Sequence, residues 1–245
     1  MFLKEHEIRR EEFLHHVHFD PHRKSYELAD VILGGQDGLV NVLGVILGVA
    51  AATNDPRIVL VAGLAATFAE SVSMGAVAYT STVAEVDFYE SEREREYRHI
   101  QEVPHLERQE IRQIYTQKGF KGELLERIVD TITANEDVWV AVMMAEEHQL
   151  TPTNRRSALR SALIVGLAAL IGSLIPLAPF AFLPVEMSIW ISIAVSALVL
   201  FVVGAYKAKV TVGRPGKSGL EMALIGTVSA LAGYAVGLIL RIPNH

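Results

Sequence analysis

Two pairs of polar residues stand inside long apolar stretches in the first third of the chain. Asp37 and Asn41 lie four residues apart, and Glu70 and Met74 repeat that spacing in the next stretch. Residues at i and i+4 share one face of a helix, so each pair points in one direction. Carboxylates with an amide and a thioether suit a borderline cation such as Fe(II) or Mn(II) better than Mg(II) or Ca(II). The pattern predicts a cation site on a helical hairpin, with ordinary core packing as the alternative for Met74 alone.

Asp37 stands at a depth where a carboxylate needs a partner. The apolar stretch 28–53 has enough residues for the roughly 20 that cross a bilayer. At about 1.5 Å of rise per residue, Asp37 lies ~13 Å beyond the start of that stretch. A carboxylate at such depth costs at least about 2.5 to 3.5 kcal/mol, so it should face protein, a cavity or a cation. Asp37 and Glu70 together are therefore predicted to be functional.

The composition is that of a membrane protein built from helices. Hydrophobic residues make up 51% of the 245 residues, the mean hydropathy is +0.30, and the apolar residues come in blocks. Five blocks predict an all-α fold with five transmembrane helices. They are 28–53, a run from Ile58 through Tyr79, Ala158–Leu177, Phe182–Ala205 and Gly219–Leu240, with Pro176, Pro179 and Pro184 marking a tight turn between the third and fourth.

Charge and cysteine content exclude several other classes of protein. The formal net charge is −6, from 22 Lys and Arg against 28 Asp and Glu, which argues against a nucleic-acid partner. The acids are concentrated in one polar segment, which favours cation binding. Because the chain has no cysteine, disulfides, iron–sulfur clusters and thiolate zinc sites are excluded. A metal would have to be bound by oxygen, imidazole or thioether groups.

The blocks also predict the domain organisation. The second span meets no helix breaker before Val103-Pro104, so its helix should extend past the membrane into a polar insert. Three amphipathic helices are predicted to follow it, at Leu106–Gln117, Glu123–Asn135 and Asp137–Gln149. The expected parts are a cytoplasmic tail at 1–27, transmembrane helices one and two at 28–83, a cytoplasmic helical insert at 84–157, and transmembrane helices three to five at 158–245.

The insert carries many side chains that could bind a metal ion. The end of the second-span helix presents Glu92, Glu96 and His99 on one face. The later helices add Glu107, Glu110, Met143, Met144 and Glu147. Charged helix faces are usually just solvated, and interspersed arginines keep ordinary ion pairing as the alternative. Those arginines are Arg93, Arg95, Arg98, Arg108 and Arg112. Against this alternative stands the tandem pair of methionines next to acids.

Positive charge is concentrated on the tail, the insert and the Lys207–Lys217 loop. The loops near Asn54 and Pro179 carry almost no basic residues. By the positive-inside rule, the amino terminus is predicted to be cytoplasmic and the carboxyl terminus to lie outside. No signal peptide is expected at the start of the chain. In the tail, His16 and His18 could bind a transition metal, or the tail could be a solvated arm.

The number of spans predicts the oligomeric state. Five spans cannot form two equal halves, and the sequence shows no internal repeat. A symmetric pore would therefore need two copies of the chain. Gly34 with Gly38, and Gly44 with Gly48, are small-xxx-small patterns that could bring two copies of the first helix together about a two-fold axis. We expect a homodimer.

Several stretches together resemble the vacuolar iron transporter family. They are Gln36-Asp37-Gly38-Leu39, the run from Ile58 to Ala65, Ser73-Met74-Gly75, the insert through Met143-Met144, the Leu174–Pro179 run, and Ser218-Gly219-Leu220-Glu221. The resemblance covers nearly everything after the tail. It implies a five-span dimeric protein that exports Fe(II), and often Mn(II), from the cytosol in exchange for protons.

The resemblance also implies roles for individual residues. Asp37 and Met74 match the family's transmembrane metal residues. In the insert, the residues that match the family's metal ligands are Glu96, Glu107, Glu110, Met143, Met144 and Glu147. Two positions depart from the family. The acid of the second span aligns with Ala66, whereas this chain has Glu70 one helical turn later, and His99 stands where a glutamate is expected. Either departure could alter the metal preference.

The expected function is proton-coupled export of Fe(II) or Mn(II) as the transported substrate, with no permanent cofactor and no enzymatic activity. The expected partners are metal ions, protons, the lipid bilayer and a second copy, in the cell membrane of a prokaryote or the vacuolar membrane of a eukaryote. A membrane-anchored di-iron oxidase is the alternative, because Glu96 and His99 have the Glu-x-x-His spacing of such enzymes. A structural membrane protein with a solvated acidic arm is the third hypothesis.

Overall fold

A computed structural model describes residues 23–152, 154–211 and 213–240. These residues contain eight α-helices: α1 Arg23–Thr53, α2 Pro56–Glu102, α3 Pro104–Gln117, α4 Gly122–Thr133, α5 Glu136–Glu146, α6 Arg155–Phe182, α7 Val185–Val210 and α8 Pro215–Ile239. Five of them, α1, α2, α6, α7 and α8, are long and apolar enough to cross a membrane. The prediction of an all-helical chain with five candidate spans is confirmed. His16 and His18 lie outside the described residues.

The chain forms two compact units. One unit consists of Ala78–Arg160, and the other consists of the chain before and after that segment. Helix α2 belongs to both, since its 47 residues are about twice the number needed for one span. We refer to the two parts as the membrane unit and the insert unit.

The core of the membrane unit is built around α1. Leu39, Leu43, Ile46 and Leu47 on this helix are almost completely buried. They recur at spacings of three and four residues, which places them on one side of the helix. Side chains from α2, α6, α7 and α8 pack against them or against their neighbours on α1. The central position of α1 holds its polar residues on a fixed face.

Glycines let α1 approach α6 and α8 at backbone distance. A Cβ atom on Gly38 would lie 2.4 Å from the carbonyl oxygen of Ala169 on α6. On the α8 side, a Cβ on Gly237 would lie 2.0 Å from the oxygen of Gly48. Both distances are shorter than atoms can approach, so each position requires glycine.

These contacts correct one interpretation of the sequence. Gly34 and Gly38 were predicted to serve a contact between two copies of α1, but both are buried under α6 of the same chain. Gly44 and Gly48 face Gly233 and Gly237 of α8, also within the chain. The small-xxx-small pattern shows that a close helix contact exists, but it carries no information about which helix supplies the other side.

The prolines of the third span were also placed wrongly. Pro176 and Pro179 lie inside α6, which continues to Phe182, and only Pro184 lies in the turn before α7. The Ser192 hydroxyl donates a hydrogen bond to the carbonyl oxygen of Pro176 at 2.6 Å. Each proline removes the amide donor for the carbonyl group four residues earlier, on Gly172 or Ile175. Prolines inside membrane helices are tolerated where neighbouring groups compensate for such a loss.

The insert unit has a separate apolar core formed by the end of α2 with α3, α4 and α5. Ile111, Val129, Met143 and Met144 are completely or almost completely buried in it. Gly119 and Gly122 adopt positive φ angles of 97° and 62° in the connection from α3 to α4, where glycine avoids a steric penalty. This core holds α3 and α5 beside the carboxylates of α2.

The ends of α3 and α5 follow ordinary capping rules. Pro104 begins α3 at a position where a missing N–H costs nothing. The Asn135 side chain accepts a hydrogen bond from the Val138 amide at 3.1 Å and caps α5. Helix α5 ends at Glu146, three residues earlier than predicted, because the chain turns at Gln149, which has a φ angle of 55°.

Candidate metal sites

In the membrane unit, Asn41 joins the two carboxylates singled out in the sequence. Its amide nitrogen donates one hydrogen bond to Asp37 Oδ2 and another to Glu70 Oε1, each at 3.1 Å. The first bond spans four residues within α1, and the second crosses to α2. The Asp37 and Glu70 carboxyl groups are also close enough to interact with each other. The structure therefore brings together residues that lie 33 positions apart.

Neither membrane carboxylate is neutralised by a basic side chain. Among the described residues, no Arg, Lys or His lies within ion-pair distance of Asp37 or Glu70. Asp37, Glu70 and Met74 are half-buried, and Asn41 is exposed on the surface of the single chain. A polar group that faces hydrocarbon is costly, so this face needs a covering surface or a cation.

The position of Glu70 differs from that of Ala66. Ala66, where the resemblance places the family's acid, packs against the apolar cluster around α1. Glu70 lies one turn later and contacts Asn41. Met74 follows after another turn of α2, on the same side of the helix. Glu70 thus belongs to the Asp37–Asn41 face, whereas Ala66, one turn earlier on the same side of α2, is partly buried against the apolar cluster.

In the insert unit, two buried carboxylates each have an oxygen atom without a partner. Glu96 on α2 is 3% exposed and Glu107 on α3 is 5% exposed. The Oε2 atoms of both are buried and accept no hydrogen bond. A buried, unpaired carboxylate oxygen is expensive unless something else satisfies it. A cation held between the two helices would do so.

The basic side chains of the insert pair with other acids. Arg112 contacts Glu126 at 2.7 Å, and Arg108 contacts Asp130. Lys118 contacts Glu146 at 2.6 Å. Among the described residues, no Arg or Lys pairs with Glu96, Glu107, Glu110 or Glu147. Ordinary ion pairing therefore accounts for Glu126, Asp130 and Glu146 but not for these four acids.

Glu92 is the exception among the predicted ligands. It is 7% exposed and contacts Arg95 at 3.0 Å. This ion pair already satisfies one of its oxygens, so burial of Glu92 needs no metal ion to explain it. A role for Glu92 in metal binding stays a prediction.

His148 is a neighbour of the site that the sequence did not single out. Its Nε2 atom lies 2.9 Å from Glu96 Oε1. His99 approaches from the other side, with Nδ1 at 3.5 Å from Glu107 Oε1 and 4.0 Å from Glu96 Oε1. Two imidazoles thus flank the two buried carboxylates. The only signal in the sequence is that His148 directly follows Glu147.

Burial and crowding change the proton affinity of the acids in this cluster. Burial, followed by repulsion from Glu110 and Glu96, raises the pKa of Glu107 to about 7. The pKa of Glu147 is also raised, by desolvation of its carboxyl group and then by Glu110. The pKa of His148 is raised because the hydrogen bond and charge of Glu96 outweigh desolvation. The acids repel one another in the absence of a cation.

Met143 and Met144 belong to the apolar core of the insert unit. They are 0% and 1% exposed and pack with the buried side chains of α3 and α4. Core packing is sufficient to explain their burial. Their assignment as metal ligands therefore stays a prediction that the burial does not test.

Neither group of residues forms a closed cage. Within residues 23–152, 154–211 and 213–240, no three His, Asp or Glu side chains converge closely enough to enclose a metal ion. The contacts instead form pairs, Asp37 with Asn41 and Glu70 in one unit and Glu96 with His148 in the other. The side chains of these pairs would have to move closer to coordinate an ion. Such a site is better suited to transient binding than to a permanent structural metal.

Comparison with known proteins decides the family. The family model described as "VIT family" matches residues 28–238. The chain belongs to the VIT family.

Curated relatives match over most of their length. The chain is 35% identical over 208 residues to vacuolar iron transporter 1 of Tulipa gesneriana, which covers 84% of each chain. It is 34% identical over 224 residues to vacuolar iron transporter 1 of Oryza sativa subsp. japonica, with 91% of this chain and 89% of the relative covered. The vacuolar iron transporter of Plasmodium falciparum is 27% identical over 245 residues, covering 94% and 89%.

The VIT match includes both groups of residues described above. Residues 28–238 contain the Asp37–Asn41–Glu70 contact and the whole insert unit. All of these relatives are named transporters, which points to a protein without enzymatic activity.

Proposed function

We propose that this VIT protein exports Fe(II), with Mn(II) as a second substrate, from the cytosol in exchange for protons. The observation that carries the proposal is the Asn41 bridge, which holds Asp37 and Glu70 together on two candidate spans with no basic partner among the described residues. The names of the relatives support iron as the substrate. The antiport mechanism rests on the chemistry of the carboxylates.

The carboxylates couple metal and proton movement by competition. A carboxylate binds a metal in its ionised form and a proton in its neutral form, so the two ligands exclude each other. Metal arriving at Asp37 and Glu70 displaces protons, and protons from the opposite side displace metal. Met74 adds a thioether that favours a borderline cation over Mg(II).

The insert unit is proposed as the cytoplasmic domain that captures the metal. Its acids without basic partners raise the local concentration of cations by attraction. The buried Oε2 atoms of Glu96 and Glu107 supply two oxygen ligands. Glu110 and Glu147 add charge at the same place, and Met143 and Met144 are proposed to add sulfur ligands. The captured ion then passes to the path lined by α1 and α2.

A flux measurement tests the transmembrane assignment. Asp37→Asn keeps the size of the side chain but removes its charge, so it should nearly abolish Fe(II) flux driven by a pH gradient in reconstituted vesicles. Glu186→Gln, at an exposed acid in the first turn of α7, is the matched control and should transport normally. Undiminished flux in Asp37→Asn would show that the assignment is wrong.

We also propose that the transporter is a homodimer with its path between the two copies. Asn41 is exposed on the single chain, and its carboxylate partners are only half-buried. A second copy covering this face would remove the cost of exposing these groups to lipid. Because the chain has no cysteine, single cysteines can be tested cleanly. Val45→Cys beside this face should form a disulfide-linked dimer, and Trp190→Cys, 72% exposed on α7, should not.

The di-iron oxidase receives less support. Such a centre needs an inward acid from each of four long helices. Here α4 contributes none of the clustered acids, and α3, α4 and α5 are 14, 12 and 11 residues long. The oxidase hypothesis also does not explain the contact between Asp37, Asn41 and Glu70. Oxygen consumption with Fe(II) by the full-length protein would favour the oxidase instead.

A further inference from the structure

We propose that His148 is a metal ligand of the capture site, and that with His99 it gives this site two nitrogen donors. The inference rests on the proposed function of the insert unit. It adds a residue that neither the sequence pattern nor the family resemblance singled out. It also predicts which metal ions the insert prefers.

The distance between His148 and Glu96 fits two adjacent ligands of one ion. Ligand atoms about 2.1 Å from a metal and at right angles to each other lie about 3.0 Å apart. His148 Nε2 and Glu96 Oε1 are 2.9 Å apart. His99 Nδ1 lies 3.5 Å from Glu107 Oε1, which is longer than that spacing, so this second pair would close as the ion binds.

The backbone holds His148 beside Glu96. The His148 amide bonds the carbonyl oxygen of Met143 at 3.3 Å, and the Leu150 amide bonds that of Met144 at 2.9 Å. Between them, Gln149 adopts the left-handed conformation that ends helix α5. This turn directs the residue after Glu147 towards α2 instead of continuing the helix. The imidazole is therefore positioned by the fold and not by a chance rotamer on the surface.

A hydrogen bond from His148 alone leaves one oxygen atom of the buried Glu96 carboxylate without a partner. The imidazole accounts for Oε1 of Glu96, while Oε2 stays buried without a partner. Glu107 shows the same division, with Oε1 facing His99 and Oε2 unpaired. A pair built only for stability would bury fewer unsatisfied atoms. A cation chelated by both oxygens of Glu96 and of Glu107 would satisfy the free Oε2 atoms and keep the Oε1 atoms beside the two imidazoles.

Two imidazoles change the expected metal selectivity. Nitrogen donors favour Fe(II), Co(II) and Zn(II) over Mn(II), and they strongly disfavour Mg(II) and Ca(II) relative to an all-carboxylate site. We therefore expect His148 to contribute more to the binding of Co(II) than to that of Mn(II).

Pulsed paramagnetic resonance on the full-length protein in detergent tests the ligand directly. Mn(II) bound to the wild type should show nitrogen hyperfine couplings, and His148→Gln should lose the coupling of one imidazole. His105→Gln, at an exposed histidine on α3, is the matched control and should leave the couplings unchanged. All samples should carry glutamine substitutions of the five tail histidines, so that the tail adds no background. These are His6→Gln, His15→Gln, His16→Gln, His18→Gln and His22→Gln.

Calorimetric titrations give a second readout. His148→Gln should weaken Co(II) binding by about tenfold or more, with a smaller effect on Mn(II). His148→Glu, which supplies an oxygen in place of nitrogen, should restore Mn(II) affinity but neither Co(II) affinity nor the lost coupling. This second variant keeps the test valid if His148→Gln folds poorly.

The outcomes separate this inference from the proposed function. If Glu96→Gln weakens metal binding while His148→Gln changes neither the couplings nor the affinities, His148 is not a ligand but the capture site stands. If the wild type binds neither Mn(II) nor Co(II), the capture site and the role of His148 are both wrong.

Discussion

The two groups of polar residues in this VIT protein solve the problem of an unneutralised carboxylate differently. In the membrane unit, Asp37 and Glu70 share a single amide donor and lie on a face that one chain leaves partly open. In the insert unit, Glu96 and Glu107 are buried by protein and flanked by imidazoles. The first arrangement offers few potential metal donors, and the second offers more.

This difference matches the proposed division of labour. A site that collects a dilute ion benefits from many donors and a high local charge. A site that must release the ion to the other side benefits from few donors, because binding that is too tight slows exit. Both units have an apolar core, but only the membrane unit adds close glycine contacts between its helices among the described residues. Each prediction below tests one side of this comparison.

The largest effect is expected at Glu70. Glu70→Ala should abolish metal flux in vesicles, because Asp37 and Asn41 would lose their partner on α2. Adding Ala66→Glu to this variant should not restore flux, since position 66 packs into the apolar cluster around α1. Recovery of transport in the double variant would show that an acid at position 66 can replace Glu70. The contact between Glu70 and Asn41 would then not be required for transport.

Glycine substitutions should distinguish how the two units are stabilised. Gly38→Ala places a Cβ 2.4 Å from the Ala169 oxygen, so it should destabilise the membrane unit by about 2 to 3 kcal/mol. Gly119→Ala, at a φ of 97° with open space around it, should cost the insert only about 1 kcal/mol. Thermal unfolding in detergent measures both, with Gly216→Ala as a control that meets no neighbouring atom.

Metal binding by the insert should weaken in acid. A carboxyl group binds metal when ionised, and the pKa of Glu107 is about 7. Below that value, the ionised fraction falls by about tenfold per pH unit. Mn(II) affinity of the full-length protein should therefore fall steadily from neutral pH downwards. Glu107→Gln should start with a lower affinity and show a flatter pH profile. If Mn(II) affinity depended on pH as steeply in Glu107→Gln as in the wild type, another group would be the one that binds the competing proton.

The smallest effect is expected at the exposed arginines. Arg112→Gln breaks the contact with Glu126 at 2.7 Å on the surface, so it should change stability only slightly. Metal affinity should not change, because Glu126 is not near the proposed site. A clear gain or loss of metal affinity would indicate that the arginines influence the clustered acids after all.

The course of the main chain was largely predictable. Five apolar blocks, the absence of a breaker between Ile58 and Val103, and the amphipathic pattern after Pro104 all depend on local sequence. The prolines of α6 were misplaced because a proline stops a helix only when nothing nearby satisfies the backbone. In this protein, α6 continues past both prolines to Phe182.

The sequence by itself determined that the chain has five helices long and apolar enough to cross a membrane, and that two of them carry carboxylates within their apolar stretches. It could do so because hydropathy and helix period are local properties. Only the tertiary structure decided which groups meet. Asn41 contacts Glu70 across two helices, His148 reaches Glu96 over 52 positions, and Arg108 and Arg112 turn to Asp130 and Glu126. Such pairings depend on the packing of separate helices, and spacing along one helix does not contain that information.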